Sequence, residues 1–105
     1  MLPKINRVDR KQIQQIFKFG SIIHSPNLTF RYLKDKNIKN YKISFIVPKT
    51  VSKSAVQRNS LRRRGYIALE KNIHLLSFPI IGVFIFKKQN IENLENEIKN
   101  IIKKI

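Results

Sequence analysis

The sequence contains one run, residues 79–86, that is apolar throughout and rich in branched and aromatic side chains. With no polar residue on either alternating face, it is typical of a strand buried on both faces. Even counted from Phe78 to Phe86, the run has nine residues, whereas a helix needs about 20 to span a bilayer. We therefore expect a soluble chain in which other elements cover this strand.

Capping signals predict a helix near each end of the chain. Asp9 and Gln12 form a capping-box pattern before a helix over 10–19, which Gly20 can end. Asn90 can cap a last helix, which has acidic residues near its start and lysines at its end, as the helix dipole favours. The apolar stripe of this last helix consists of Ile91, Leu94, Ile98, Ile101, Ile102 and Ile105.

Two further strands and a central helix complete the prediction. Residues 28–33 alternate roughly as a half-buried strand, and residues 42–47 form another strand, which Pro48 stops. A helix follows over about 55–72. The order α-β-β-α-β-α predicts the α+β class, with helices packing a small mixed β-sheet. The length of 105 residues suits a single domain over residues 1–105.

Positive charge is concentrated before residue 65. Residues 1–64 contain 16 basic and 2 acidic side chains, whereas residues 65–105 contain 6 and 4. The net charge of +16 predicts a polyanionic partner. The chain has no cysteine, which excludes a disulfide scaffold, a thiolate zinc site and a cysteine nucleophile.

The central helix carries the densest group of charges. Ser54 and Gln57 form a possible capping box before it, although Gly65 inside it costs about 1 kcal/mol relative to alanine. At 100° per residue, one arc of about 100° contains Arg58, Asn59, Arg62 and Tyr66, with Arg63 just beyond. Guanidinium groups bind phosphate oxygens and stack on bases, the amide can bind RNA oxygens, and the phenol can stack. Because no glutamate interrupts the stripe, a merely solvated helix face is the weaker alternative.

The segment 47–59, Val-Pro-Lys-Thr-Val-Ser-Lys-Ser-Ala-Val-Gln-Arg-Asn, followed by Arg62 and Arg63, resembles the signature of the bacterial ribonuclease P protein component. That signature places Arg-Asn, two variable residues and Lys/Arg-Arg at the start of a helix. Similar residues along the rest of the chain are Leu2, Lys4, Asn6, Arg7, 16–18, Gly20, 24–26, 31–33 and 80–86. The family usually continues with Arg-Glu, where this chain has Tyr66 and Ile67.

The resemblance implies a ribosomal protein S5 domain 2-like fold and a partnership with one large catalytic RNA. In the family, this RNA uses Mg²⁺ to remove the 5′ leader of precursor tRNA, and the protein binds both the RNA and the leader. We expect no cofactor bound by the protein alone, no small-molecule substrate and no membrane partner. The lack of cysteine fits a reducing compartment, and the polar N-terminus does not read as a secretory signal, so we expect a cytoplasmic location. No catalytic or metal-binding residue is expected, since the two histidines, His24 and His74, are 50 residues apart in the sequence.

Two sets of site residues follow from the resemblance. The RNA-facing set is Arg58, Asn59, Arg62 and Arg63, with Lys49 and Lys53 extending its rim. A cleft for the single-stranded leader, between the first helix, the sheet and the central helix, is expected to contain Phe17, Ile13, Arg31, Tyr32 and Tyr66. The alternatives are core packing for Phe17, a core or sheet-edge position for Tyr32, and a solvated loop for the two lysines.

Three other interpretations stay open from the sequence. A generic basic RNA-binding or ribosomal protein, without a role in tRNA processing, would bind many RNAs with similar salt dependence. A protein that binds a membrane surface or another acidic partner would need a basic amphipathic helix, and the central helix lacks a clean apolar face. A family member that has lost activity would also fit the changes at residues 66 and 67.

Overall fold

The structure, a computed structural model, describes residues 8–105, so the family-like residues Leu2, Lys4, Asn6 and Arg7 lie outside the described residues. Its elements are α1 (Arg10–Phe19), β1 (Ser21–His24), β2 (Leu28–Lys34), β3 (Lys42–Ile46), α2 (Ala55–Asn72), a 3-10 helix (Ile73–Leu75), β4 (Ile80–Phe86) and α3 (Leu94–Lys103). The strands form one sheet in the order β1-β2-β4-β3. Only β3 and β4 are parallel neighbours, so the predicted α+β class with a small mixed sheet is confirmed.

The two faces of the sheet pack against different helices, because successive side chains of a strand point to opposite faces. α2 and α3 cover one face, where the main core contains Phe30, Phe45 and Phe84. The ring centroid of Phe84 lies 4.2 Å from that of Phe30 and 4.9 Å from that of Phe45. α1 packs on the other face, where Ile16 belongs to a smaller buried cluster. The sheet therefore separates α1 from α2.

β4 occupies the position that its composition predicts. It lies between β2 and β3, and every residue except Ile85 is buried. Gly82 makes room for the ring of Phe30, since a Cβ at position 82 would lie 2.5 Å from the ring carbon Cζ. The continuous apolar run is thus that of an inner strand with helices on both faces.

Capping signals locate the first helix correctly but not the last. Asp9 Oδ1 accepts a hydrogen bond from the Gln12 N–H (2.8 Å), and Gln12 Oε1 accepts one from the Asp9 N–H (3.0 Å), which completes the capping box. The prediction for Asn90 is wrong, because the N-cap of α3 is Asn93. Ile91 is buried although it precedes the helix, so the apolar stripe does not mark the start of α3.

The edge strand β1 was not predicted, because its four residues are too few to show a period. It pairs antiparallel with β2, placing Ile22 opposite Arg31 and Ile23 opposite Phe30. Ile23 therefore points towards the main core, whereas Ile22 lies on the side of the sheet that α1 covers.

Glu97 connects α3 to the turn between β1 and β2. Its carboxylate accepts hydrogen bonds from the Asn27 backbone N–H (2.9 Å), from Asn27 Nδ2 (2.8 Å) and from the Ser25 hydroxyl. Burial alone would raise the pKa of Glu97, but these hydrogen bonds together outweigh it and lower the pKa below its ordinary value.

We expect Glu97→Gln to lower the free energy of unfolding by about 1 kcal/mol near neutral pH, since charge-assisted hydrogen bonds are lost from a partly exposed site. Because the pKa of Glu97 is lowered on folding, its contribution is present above the ordinary carboxyl pKa and disappears as the pH falls through the folded-state value. Urea unfolding at about pH 7 and about pH 3 measures both states. Glu92→Gln, at an exposed carboxylate of the same region, is the control. An equal loss at both pH values would contradict this explanation.

Candidate RNA interface

The loop before α2 presents two lysines from a hydrogen-bonded turn. The Pro48 carbonyl accepts hydrogen bonds from the N–H groups of Val51 (3.0 Å) and Ser52 (3.2 Å). Lys49 and Lys53 are exposed on this loop, which we call the 48–54 loop. The backbone is thus fixed, while both ammonium groups remain available to a phosphate.

Ser54 caps α2 as the sequence predicts. Its hydroxyl accepts a hydrogen bond from the Gln57 N–H at 3.3 Å. The reciprocal half of the box is replaced, because the Gln57 side chain accepts a hydrogen bond from the Ser52 hydroxyl at 2.8 Å instead. The loop is thereby joined to the first turn of α2, whose N-terminal dipole also favours an anion.

Arg58 holds the same loop from within α2. Its Nη1 donates hydrogen bonds to the carbonyl oxygens of Ser52 and Lys53, both at 3.0 Å, and its side chain is half-buried. One nitrogen of the guanidinium is therefore used inside the chain. A contact between Arg58 and RNA stays a prediction, and its remaining N–H groups are the ones that could make it.

The rest of the predicted stripe lies together on α2. Arg62 Nη2 donates a hydrogen bond to Asn59 Oδ1, which orients the amide and leaves its N–H groups available. Arg62 is half-buried and Arg63 is exposed. Within residues 8–105, no carboxylate forms an ion pair with Arg58, Arg62 or Arg63. The stripe thus keeps its positive charge for an external anion.

Tyr66 does not belong to this surface, and its prediction as a cleft residue is wrong. It is 6% exposed, and its ring packs edge-on against that of Phe45 at 4.9 Å between centroids. Its hydroxyl oxygen also accepts a hydrogen bond from the Phe45 N–H at 3.4 Å. The helical arc places Tyr66 with the arginines, but it lies two turns beyond Arg58, where α2 packs over β3. Ile67, the other departure from the family pattern, is 45% exposed.

A second surface lies on the α1 side of the sheet. Phe17 is 43% exposed, and the Arg31 guanidinium lies over its ring, 4.8 Å from the centroid. Ile22 of β1, which no local sequence pattern marks, is exposed and lies opposite Arg31 in the sheet register. Ile13 packs partly buried against the smaller cluster beneath α1. The structure therefore brings together Phe17 and Arg31 as an exposed cation–π pair.

Tyr32 lies on the opposite side of the sheet from this pair, so its prediction as a cleft residue is also wrong. Its ring stacks on that of Phe30 at 5.3 Å between centroids, and it packs against the main core. The reason is the alternation of the strand, which sends neighbouring Arg31 and Tyr32 to opposite faces. Sheet-edge or core packing, the alternative for this residue, is what the structure shows.

The expected cleft also changes in outline. α1 and α2 lie on opposite faces of the sheet, so α2 does not form a wall along the α1 side. None of the helices within residues 8–105 combines the length and the apolar composition that a bilayer span requires.

Comparisons with known proteins agree with the signature at the start of α2. The model of the ribonuclease P family matches residues 2–105. A ribonuclease P protein component from Pseudanabaena sp. (strain PCC 6903) is 28% identical over an alignment of 109 positions, which covers 99% of this chain and 94% of that relative.

The fold is similar to that of two solved structures. The RNase P protein from Thermotoga maritima has a TM-score of 0.84 at 18% identity, with 94% of this chain and 96% of that chain covered. The RNase P protein from Staphylococcus aureus has a TM-score of 0.83 at 16% identity, with 93% of each chain covered. These likenesses establish the shared arrangement of helices and strands.

Proposed function

Since this chain belongs to the ribonuclease P protein family, we propose that it binds ribonuclease P RNA and the 5′ leader of precursor tRNA in the cytoplasm. It is the protein component of an endoribonuclease, and its family implies an RNA partner. We assign hydrolysis of the phosphodiester bond between the leader and the tRNA to the RNA, where bound Mg²⁺ would activate the water. The protein residues bind and orient the two RNA partners.

The observation that carries this proposal is the stripe of Asn59, Arg62 and Arg63 beside the 48–54 loop, which no carboxylate of residues 8–105 neutralises. Its guanidinium groups have no carboxylate partner within the described residues, and its amide is held in place by Arg62. Such groups match the phosphate oxygens and 2′-hydroxyls of a folded RNA. We assign this surface to the catalytic RNA.

The α1 side is assigned to the leader. The Phe17 and Arg31 pair offers an aromatic plane and a cation at one place. Grooves for single-stranded RNA combine these two elements, because bases stack on the ring while cations attract the phosphates. Ile22 extends the exposed apolar surface of this side.

Cleavage of a precursor tRNA by its cognate ribonuclease P RNA at low Mg²⁺, with and without the protein, tests the proposal. We expect removal of the 5′ leader only when the protein is present, since it offsets repulsion between two polyanions. Tight binding to the RNA without any stimulation of cleavage would instead favour a generic RNA-binding protein. Stimulated cleavage by a family protein known to be active, used as the positive control, would show that the RNA is functional.

Phe17→Ala is expected to weaken binding of precursor tRNA by the assembled complex about tenfold, through loss of one stacking plane. Mature tRNA lacks the leader, so its affinity should change less than about twofold. Equilibrium binding of both RNAs to the complex measures the difference. Ile67→Ala removes an apolar side chain that is 45% exposed on α2, away from the α1 side, and serves as the control. Equal losses for precursor and mature tRNA would mean that Phe17 only stabilises the fold.

A further inference from the structure

A groove of about 370 Å³ lies at the end of the sheet where β2 ends and β4 begins. Its lining includes Lys39, Asn40, Tyr41, Leu76 and Phe78. We call it the Phe78 groove. It lies between the turn that joins β2 to β3 and the segment that follows the 3-10 helix. None of its residues belongs to the two surfaces described above.

Phe78 gives this groove an aromatic plane. The residue is 50% exposed, although a phenylalanine ring with nothing to bind is more stable when covered. The Lys34 ammonium lies over the ring, 5.0 Å from its centroid. An exposed ring with a cation against it is the combination that a stacked base and its phosphate require.

Lysines supply the remaining charge. Lys36 and Lys39 are exposed in the turn that borders the groove, and within residues 8–105 neither forms an ion pair or a side-chain hydrogen bond. Of the nearby carboxylates, that of Asp35 accepts a hydrogen bond from the Asn37 N–H at 2.9 Å. Burial and then the negative charge of Glu70 raise the pKa of Tyr41, so Glu70 lies near that phenol. The ammonium groups of Lys34, Lys36 and Lys39 are therefore open to an added anion.

The Phe78 groove is well separated from the start of α2. α2 has 18 residues, which corresponds to roughly 27 Å at 1.5 Å per residue. Leu76 and Phe78 come after its end, whereas the 48–54 loop precedes its start. One nucleotide cannot reach both places, so an occupant of the groove would be a different stretch of RNA.

We propose that the Phe78 groove binds an unpaired segment of RNA, with a base on Phe78 and phosphates at Lys34 and Lys39. The half-exposed ring favours RNA over a lipid surface or an acidic peptide, because the flat face of a base is what it can stack on. The inference rests on the proposed function only in taking RNA as the polyanion.

The test uses the full-length protein, labelled with ¹⁵N, and a short oligouridylate as the probe. We expect amide shifts at Asn40, Ser77 and Phe78 on titration, and about tenfold weaker binding to the groove by Phe78→Ala. Phe19→Ala, at a more exposed phenylalanine, should leave these shifts unchanged. Replacing both Lys34 and Lys39 with alanine should reduce these shifts while the Phe78 ring is still present.

Shifts confined to the α1 side and the 48–54 loop, with Phe78→Ala binding as well as the unchanged protein, would overturn the proposal. Anionic phospholipid vesicles that shift the same amides more strongly than the oligouridylate would also overturn it, in favour of a membrane surface. The cleavage assay is independent of both results. Groove binding without stimulated cleavage would contradict the proposed function alone, and stimulated cleavage without groove binding would contradict this inference alone.

Discussion

Replacing Gly65 with valine is expected to lower the free energy of unfolding by about 3 kcal/mol, which corresponds to a fall in Tm of roughly 15 °C. A Cβ at this position would lie 2.6 Å from two carbons of the Phe45 ring. That ring cannot move aside easily, because it stacks on Phe84 at 4.9 Å and meets the edge of Tyr66 at the same distance. α2 can approach β3 this closely only where a helical residue has no side chain.

Helix propensity alone predicts the opposite sign for the smaller change. Gly65→Ala should gain about 1 kcal/mol from propensity in a solvated helix. We expect the clash with Phe45 to exceed that gain, so that alanine also destabilises the protein. Thermal and urea unfolding measure both variants, with Ser60→Ala on the exposed side of α2 as the control. Combining Gly65→Ala with Phe45→Leu should recover part of the loss, and strictly additive effects would contradict the contact.

The parts of the fold that could be predicted from sequence are those with a local physical signal. The bounds of α1 and α2 follow from Asp9 and Ser54, which accept hydrogen bonds from backbone N–H groups that the helix leaves unpaired. β4 follows from its unbroken apolar composition. Gly65 argues locally against an uninterrupted α2. Its structural reason is the close approach of the Phe45 ring, which a local pattern cannot show because Phe45 lies 20 residues earlier in the chain.

The errors arise where two local signals compete or where tertiary packing decides. Asn90 and Asn93 are equally suitable caps, and only the packing of Leu94 and of buried Ile91 selects the second. Tyr66 has the angular position of the arginines, but its distance along α2 brings it over β3. Tyr32 fails for a different reason, since a one-residue step along a strand exchanges the faces of the sheet.

The interface itself was predictable only as a set of side-chain types. Arg63 in α2 and Lys49 and Lys53 in the preceding loop are exposed, and Arg62 is half-buried beside them. What composition cannot give is the internal role of Arg58, because the two carbonyl groups that it binds belong to the backbone of the 48–54 loop. A charge variant at Arg58 would therefore change the loop as well as the charge, which makes it unsuitable as a simple probe of phosphate contacts.

Removing three cations that have no carboxylate partner within residues 8–105 should have a large effect on RNA affinity. We expect Lys49→Ala, Arg62→Ala and Arg63→Ala together to weaken binding to the cognate ribonuclease P RNA by roughly a hundredfold, at about 1 kcal/mol per lost phosphate contact. Each lost phosphate contact also reduces the number of counterions that binding releases. The slope of log affinity against log salt should therefore become shallower by about 2 to 3. Filter binding or fluorescence anisotropy over a series of salt concentrations gives both quantities.

The matched control removes the same charge from α3 and its C-cap residue, by Lys99→Ala, Lys103→Ala and Lys104→Ala, all at exposed positions. Both variants lose three positive charges, so a general attraction between a basic protein and RNA would weaken equally in the two. A specific interface predicts a large loss of affinity and slope for the α2 variant and a small loss for the α3 variant. Equal losses would reject the start of α2 as the RNA-binding surface, because net charge alone would then account for the affinity.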